Sequence, residues 1–282
     1  MNRDGVAAAE AARVATQASR VDALRSGLRT AVQAVYLLVM LTASDLRARH
    51  GRGPWQLAKW LADPFAILGV YLALVTFVLD RPGRAPGLML ACAVVPFQFV
   101  MATVVNSMNA VRLRRAIILN MGFNRMLLPV SAVLTETVAF GASLGLLALM
   151  MVAYGVAPTT AVLWLPAVLA ANVLVAVGLA YPASLFGLWF TDLQPFAISF
   201  VRALFYVAPG LVVLAEIPGR AGELMRLNPL TGLFESYRDA LLFAHRPAAW
   251  QLLIPVGVAL VLFALFVPIY RREQRHFAKV VE

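Results

Sequence analysis

The stretch TVAFGASLGLLALMMVAYGVAPTTAVLWLPAVLAANVLVAVGLAYPASLFGLWFT, Thr137–Thr191, runs for 55 residues without one Asp, Glu, Lys or Arg. About 20 apolar helical residues cross the ~30 Å hydrocarbon core of a bilayer. The stretch is therefore long enough for two crossings with a turn between them. The whole chain agrees with it: 61% of the 282 residues are apolar, 13% are charged, and the mean hydropathy is +0.80. No soluble fold of this size needs so much apolar surface, so lipid is part of the solvent and the fold class is an all-α integral membrane protein.

Working outward, six apolar runs are long enough to cross: Pro64–Leu79, Gly87–Val105, Met126–Tyr154, Thr160–Phe190, Gln194–Leu214 and Trp250–Tyr270. The third is overlong, and Pro129 suggests a separate short helix at its start. The fourth carries Pro166 and Pro182 as kink sites. Gly141 and Gly145 form a small-xxx-small pair that would let a second helix approach closely. Ahead of the first crossing, Ala31–Ala43 is apolar but too short to span, and Asp45, Arg47 and Arg49 follow it. This reads as an amphipathic helix lying on the inner surface, its interfacial belt extended by Trp55, Lys59 and Trp60. The chain thus divides into a tail (1–30), an interfacial helix region (31–62) and a six-span domain (63–282). The tail lacks the basic start, apolar core and cleavage site of a signal peptide.

Six crossings put both termini on one side of the membrane. If that side is the cytoplasm it holds 17 of the 24 Lys and Arg, whereas the reverse orientation leaves only six inside. The positive-inside bias therefore predicts cytoplasmic termini. The net charge of +10 flanks apolar runs instead of forming one basic face, which anchors to a membrane surface and does not read as nucleic-acid binding.

Several chemistries find no residues to carry them. The two lysines, Lys59 and Lys279, do not follow a glycine, so the chain has no phosphate-binding loop of the G-x-x-x-x-G-K-[ST] kind. His50, His245 and His276 lie far apart, and Cys92 is the single cysteine. No metal set, disulfide or nucleophile elbow can be assembled from these. The chain reads as a non-enzyme that binds no cofactor of its own.

Charges inside the crossings carry the functional signal. Glu136 falls in the third span and Arg202 in the fifth, each costing roughly 2.5–3.5 kcal/mol at a lipid-facing helix centre. Either they pair with each other or with backbone groups, or Arg202 meets an anionic part of a transported molecule. Phe196, Phe200, Phe205 and Tyr206 surround Arg202 and would supply either helix packing or a stacking surface along a path. Arg112, Arg114, Arg115 and Arg125 bracket the short amphipathic stretch Ala116–Phe123, which is either an anchor or a docking helix for a soluble partner.

Between the last two crossings, Ile217–Arg246 is half loop and half membrane in character. Pro229 breaks what precedes it, and Thr231 is a suitable N-cap for a helix running to about Phe243. Leu233, Phe234, Tyr237, Leu241 and Leu242 recur at helical spacing, with Glu235, Arg238 and Asp239 on the rest of the turn. Such a helix favours an interface or a protein-lined cavity. Its four arginines pair in this reading with Glu216, Glu223, Glu235 and Asp239.

Taken in order, Arg47-Ala-Arg49, the Pro64 start, Val95-Pro-Phe97, Asn106-Ser-Met-Asn109, Phe123-Asn-Arg125 with Leu128-Pro129, Thr191-Asp192, Asn228-Pro229 with Tyr237-Arg238-Asp239, and Tyr270-Arg-Arg-Glu273 make a recognisable series. From about Leu37 to the C-terminus, the chain resembles the permease subunit of bacterial type-2 ABC exporters of cell-envelope polysaccharides such as O-antigen. The resemblance implies a homodimer of six-span subunits in the cytoplasmic membrane, bound to two copies of a cytoplasmic ATPase that holds the ATP and Mg. It implies a central channel for a lipid-linked glycan, lined by the first and fifth spans, which places Tyr71, Phe196, Phe200, Arg202, Phe205 and Tyr206 along it. Arg47, Arg49, Arg112, Arg114, Arg115 and Arg125 would couple to the ATPase. Asn228, Pro229, Glu235, Tyr237, Arg238 and Asp239 would belong to re-entrant helices forming an outer gate. A drug or lipid exporter of the same fold is the nearest alternative, and an ATP-independent secondary transporter the next.

Overall fold

A computed structural model of the chain describes residues 31–48, 85–120 and 123–275, together with Gly27, Arg29, Ala66, Gly69, Val70 and Phe277. Most of the predicted first crossing with Tyr71, the interfacial residues Arg49, Trp55, Lys59 and Trp60, and most of the tail lie outside the described residues.

Backbone in hydrocarbon must satisfy its own hydrogen bonds, and helices do so within one segment. Every regular element among the described residues is helical. Helix α1 is Ala31–Ala48. It is followed by α2 (Pro86–Leu113), α3 (Arg115–Asn120), α4 (Leu127–Ala153) and α5 (Leu165–Trp189). Then come α6 (Gln194–Val207), α7 (Arg220–Arg226), α8 (Pro229–Leu241) and α9 (Ala249–Glu273). Five helical stretches are long and apolar enough to cross a membrane: α2, α4, Thr160–Trp189, α9 and, against the expectation from its 13-residue apolar run, α1, which extends to 18 residues.

The proline readings resolve differently from expectation. Pro129 lies in the first turn of one continuous α4, so the third run has no separate opening helix. Pro166 lies at the start of α5, directly after the 3-10 turn Thr160–Trp164, and marks a helix beginning where a kink was expected. Pro182 sits inside α5. The largest departure is the fifth run: α6 stops at Val207, and residues up to Leu214 are not α-helical.

The core is organised around α2, whose apolar window is 78% buried against 11% for α9. It packs against α5, α4, α8 and α6, while α5 also packs against α9. Water drives none of this packing inside lipid, so close van der Waals approach has to hold the helices together. A Cβ on Gly187 would lie 2.1 Å from the Met108 carbonyl oxygen, so α5 and α2 touch backbone to backbone there. Gly232 repeats the device between α8 and α9, with the Gln251 carbonyl 2.5 Å from a would-be Cβ. Gly141 and Gly145, the pair flagged in the sequence, face open space within the described chain.

Polar ties fasten the helix ends. The Arg114 guanidinium donates to Asp45 of α1, and the Thr135 hydroxyl of α4, which donates to the Ser131 carbonyl at 2.9 Å, lies 3.4 Å from the same carboxylate. Arg125 donates to the Gln274 carbonyl at 2.5 Å, a cation at the C-terminus of α9, and the Tyr270 hydroxyl donates to the Arg125 carbonyl at 3.3 Å. The Tyr181 hydroxyl donates to the Met126 carbonyl at 3.2 Å, and its ring meets Tyr270 edge-on at 5.4 Å.

Candidate functional site

Helix α6 has 14 residues, about 21 Å at 1.5 Å per residue, which is short of a ~30 Å crossing. It ends because Ala208 precedes Pro209: a residue before proline is pushed out of the helical region, and Ala208 is extended with ψ 138°. The carbonyls that follow lose their helical partners. Irregular backbone at membrane depth is tolerated only where protein or an enclosed cavity satisfies it.

Helix α8 satisfies it. Arg238 is fully buried, and its guanidinium donates to the carbonyls of Pro209 (2.9 Å), Gly210 (2.8 Å) and Val212 (2.8 Å). Its Nε reaches the Met89 carbonyl of α2 at 3.4 Å, and Nη1 pairs with Glu235 at 2.7 Å. Glu235, also buried, accepts from the Leu214 amide at 3.1 Å. Asn228 caps α8 by accepting from the Leu230 amide at 3.0 Å, while its own amide donates to the Leu204 carbonyl in the last turn of α6 at 3.0 Å. Asn228 is thus the N-cap, in place of the predicted Thr231, whose hydroxyl donates to the Met225 carbonyl at 2.6 Å instead. A buried charge of this kind is strongly destabilising when one partner is removed, by about 3–5 kcal/mol.

The rest of α8 is equally sunk. The Tyr237 hydroxyl accepts from Asn172 of α5 at 3.3 Å. Asp239 accepts from Gln251 of α9 at 2.8 Å. Burial raises the Asp239 carboxyl above its ordinary value, against the Gln251 hydrogen bond and the charges of His245 and Arg238. The resemblance assigns Tyr237 and Arg238 to an outer gate; in this chain both are enclosed in the core. Of the four loop arginines, Arg238 has its predicted partner Glu235, while Arg226 lies over the Trp250 ring at 5.6 Å.

The α6 residues separate onto three surfaces. Phe205 is buried against Phe97 and Phe234, with ring centroids 4.7 and 5.6 Å away, and belongs to the core instead of a channel wall. Arg202 and Tyr206 border a groove of about 420 Å³ completed by Gln98, Phe97, Met101 and Val70. Phe196 and Phe200 border a second groove, about 550 Å³, walled by Met108, Pro182, Phe186 and Phe266. Arg202 has no ion-pair or hydrogen-bond partner among the described residues, and Glu136 does not take it: Glu136 receives the side-chain amide of Asn106.

The arginines read as coupling residues also diverge. Arg47, Arg112 and Arg115 are exposed. Arg114 is buried on Asp45, and Arg125 is turned onto the end of α9, so both fasten the fold. Asn172 was missed, and Asp45 and Asn106 were named without their partners Arg114 and Glu136. Asn172 is a polar residue within the charge-free stretch, and that alone could have flagged it.

No family model matches the chain. Among curated proteins it is 27% identical over 249 residues to the O-antigen export system permease protein RfbA of Myxococcus xanthus, covering 87% of this chain and 95% of that protein. Two permeases of the same name from Klebsiella pneumoniae are 25% and 23% identical, covering 72% and 87% of this chain and 79% and 95% of their own lengths. The chain is similar to O-antigen export permeases. The similarity extends over nearly the whole length of the Myxococcus permease.

Proposed function

We propose that this chain is the membrane-spanning subunit of an ATP-driven exporter that moves a lipid-linked polysaccharide across the cytoplasmic membrane of a bacterium. The observation that carries the reading is the similarity to three O-antigen export permeases, two of them matched over 95% of their length. In this reading two copies form a central channel, and two copies of a separate ATPase bind ATP and Mg and drive it. The first span and α6 line the path with Phe196, Phe200, Arg202 and Tyr206. Arg202, a cation without a protein partner among the described residues, suits an acidic sugar or a diphosphate linker. The exposed Arg47, Arg112 and Arg115 meet the ATPase. Helices α7 and α8 close the outer end as re-entrant elements. Both termini lie in the cytoplasm.

The test is genetic and biochemical together. Removing the chain from its host abolishes surface polysaccharide, restoring it returns the polymer, and the tagged protein co-purifies a phosphate-loop ATPase. Unchanged surface polysaccharide, with no ATPase partner on a monodisperse protein, overturns the reading. One observation favours a lipid exporter as second reading: the groove bordered by Phe196 and Phe200 is walled by apolar side chains throughout. Phospholipid or glycolipid accumulating at the inner leaflet of the deletion strain, with polysaccharide intact, would select it.

A further inference from the structure

The geometry points to Arg238 as the positioning residue of the transport path: by gathering the carbonyls of Pro209, Gly210 and Val212 it fixes where α6 ends, and so fixes the aim of Arg202 and Tyr206. It rests on the exporter reading for the role of those two residues. The clamp itself is drawn from this chain alone.

An ordinary ion pair does not explain the arrangement. Glu235 and Arg238 are i,i+3 neighbours on α8 and could neutralise each other without touching α6. A buried pair is moreover weak support for stability, since apolar residues of the same volume often do as well. What demands a guanidinium is the fork: Nη1 faces Pro209, Val212 and Glu235, which share its two hydrogens, while Nη2 holds the Gly210 carbonyl and Nε reaches Met89. A lysine is a compact point donor: it can take the place of Nη1 but leaves the Gly210 and Met89 carbonyls without a donor. The contacts are also ordered along the chain. Asn228 holds residue 204, Arg238 holds 209, 210 and 212, and Glu235 holds 214. One face of α8 therefore follows the whole irregular segment from the last turn of α6 to the 3-10 turn at Leu214–Glu216. Tyr206 stands three residues before the first clamped carbonyl and Arg202 one turn earlier, both bordering the same groove.

The experiment uses the full chain with its ATPase in native membranes and a Tyr206→Cys background. The reaction rate of that cysteine with a membrane-impermeant thiol reagent is read; native Cys92 is buried and stays silent. Arg238→Lys keeps the charge and loses the fork, and is expected to change the rate at position 206 by about tenfold, the size of a lost charged hydrogen bond. The double exchange Glu235→Arg with Arg238→Glu keeps a pair and should resemble Arg238→Lys. Glu235→Gln, whose amide oxygen still accepts from Leu214, should shift the rate less. A parental rate in Arg238→Lys, or its restoration by the double exchange, overturns the proposal. If Arg238→Lys does not accumulate, Asn228→Ala replaces it: it releases residue 204, and an unchanged rate there also overturns the proposal. Failure of the parent protein to export polysaccharide would strike the exporter reading and leave this labelling result standing.

Discussion

Asn228 does two things with one side chain: its oxygen caps α8 and its nitrogen holds the end of α6. Asn228→Ala should therefore cost more than an isolated cap, about 1–2 kcal/mol, read as a lowered thermal unfolding midpoint in detergent or nanodiscs. Asp239 yields a pH prediction. Its folded carboxyl titrates above the unfolded value, so the folded state binds more protons in the window upward from 3.8, and stability falls as pH rises through that window. Asp239→Asn should flatten that slope in unfolding curves taken across the window. At this scale the sequence revealed which charges were expensive but not where they go. Glu136 and Arg202 stand out by their apolar surroundings, yet Glu136 finds Asn106, 30 residues away, and Arg114 finds Asp45 across 69 residues. Local pattern holds no record of such distances. Thr231 lost the N-cap to Asn228 because Pro229 occupies the first turn and starts the helix earlier than the apolar spacing suggested.

Helices meet where backbone can approach backbone, and the two glycine readings of this chain separate on that test. Gly187→Ala must push α5 away from the Met108 carbonyl and should lower folded yield, with a destabilisation of about 1–3 kcal/mol. Gly145→Ala enters open space within the described chain and should stay within about 0.5 kcal/mol, measured by fluorescence-detected size exclusion after heating. A retained fold in Gly187→Ala with a lost one in Gly145→Ala would relocate the principal helix contact. The small-xxx-small motif was legible, but it states that approach is permitted, not that a neighbour is present. The end of α6 was half legible in the same way. Hydropathy runs unbroken to Leu214 and so suggested a full crossing, while Pro209-Gly210 already marked the break.

At the scale of the molecule, composition alone decided the class, because no arrangement of water-facing surfaces accommodates this much apolar area. The number and direction of crossings depend on the first span and the termini, and charge bias makes a definite forecast for them. A green fluorescent reporter joined after Glu282 should fluoresce and an alkaline phosphatase joined there should be inactive; the opposite pair of results would invert the topology. The partition of function along the chain was less legible, since residues of one helix, α6, serve a core and two separate grooves, and a sequence stripe cannot tell these apart. One contact reaches beyond this molecule. The carboxylate of Asp45 holds Arg114 and lies beside the Thr135 hydroxyl, both far downstream in the chain. Neither end can drift alone without leaving a buried charge stranded. Descendants of a common ancestor that differ at position 45 should therefore differ at 114 as well, and an alignment of many such sequences would carry the tie as a paired inheritance.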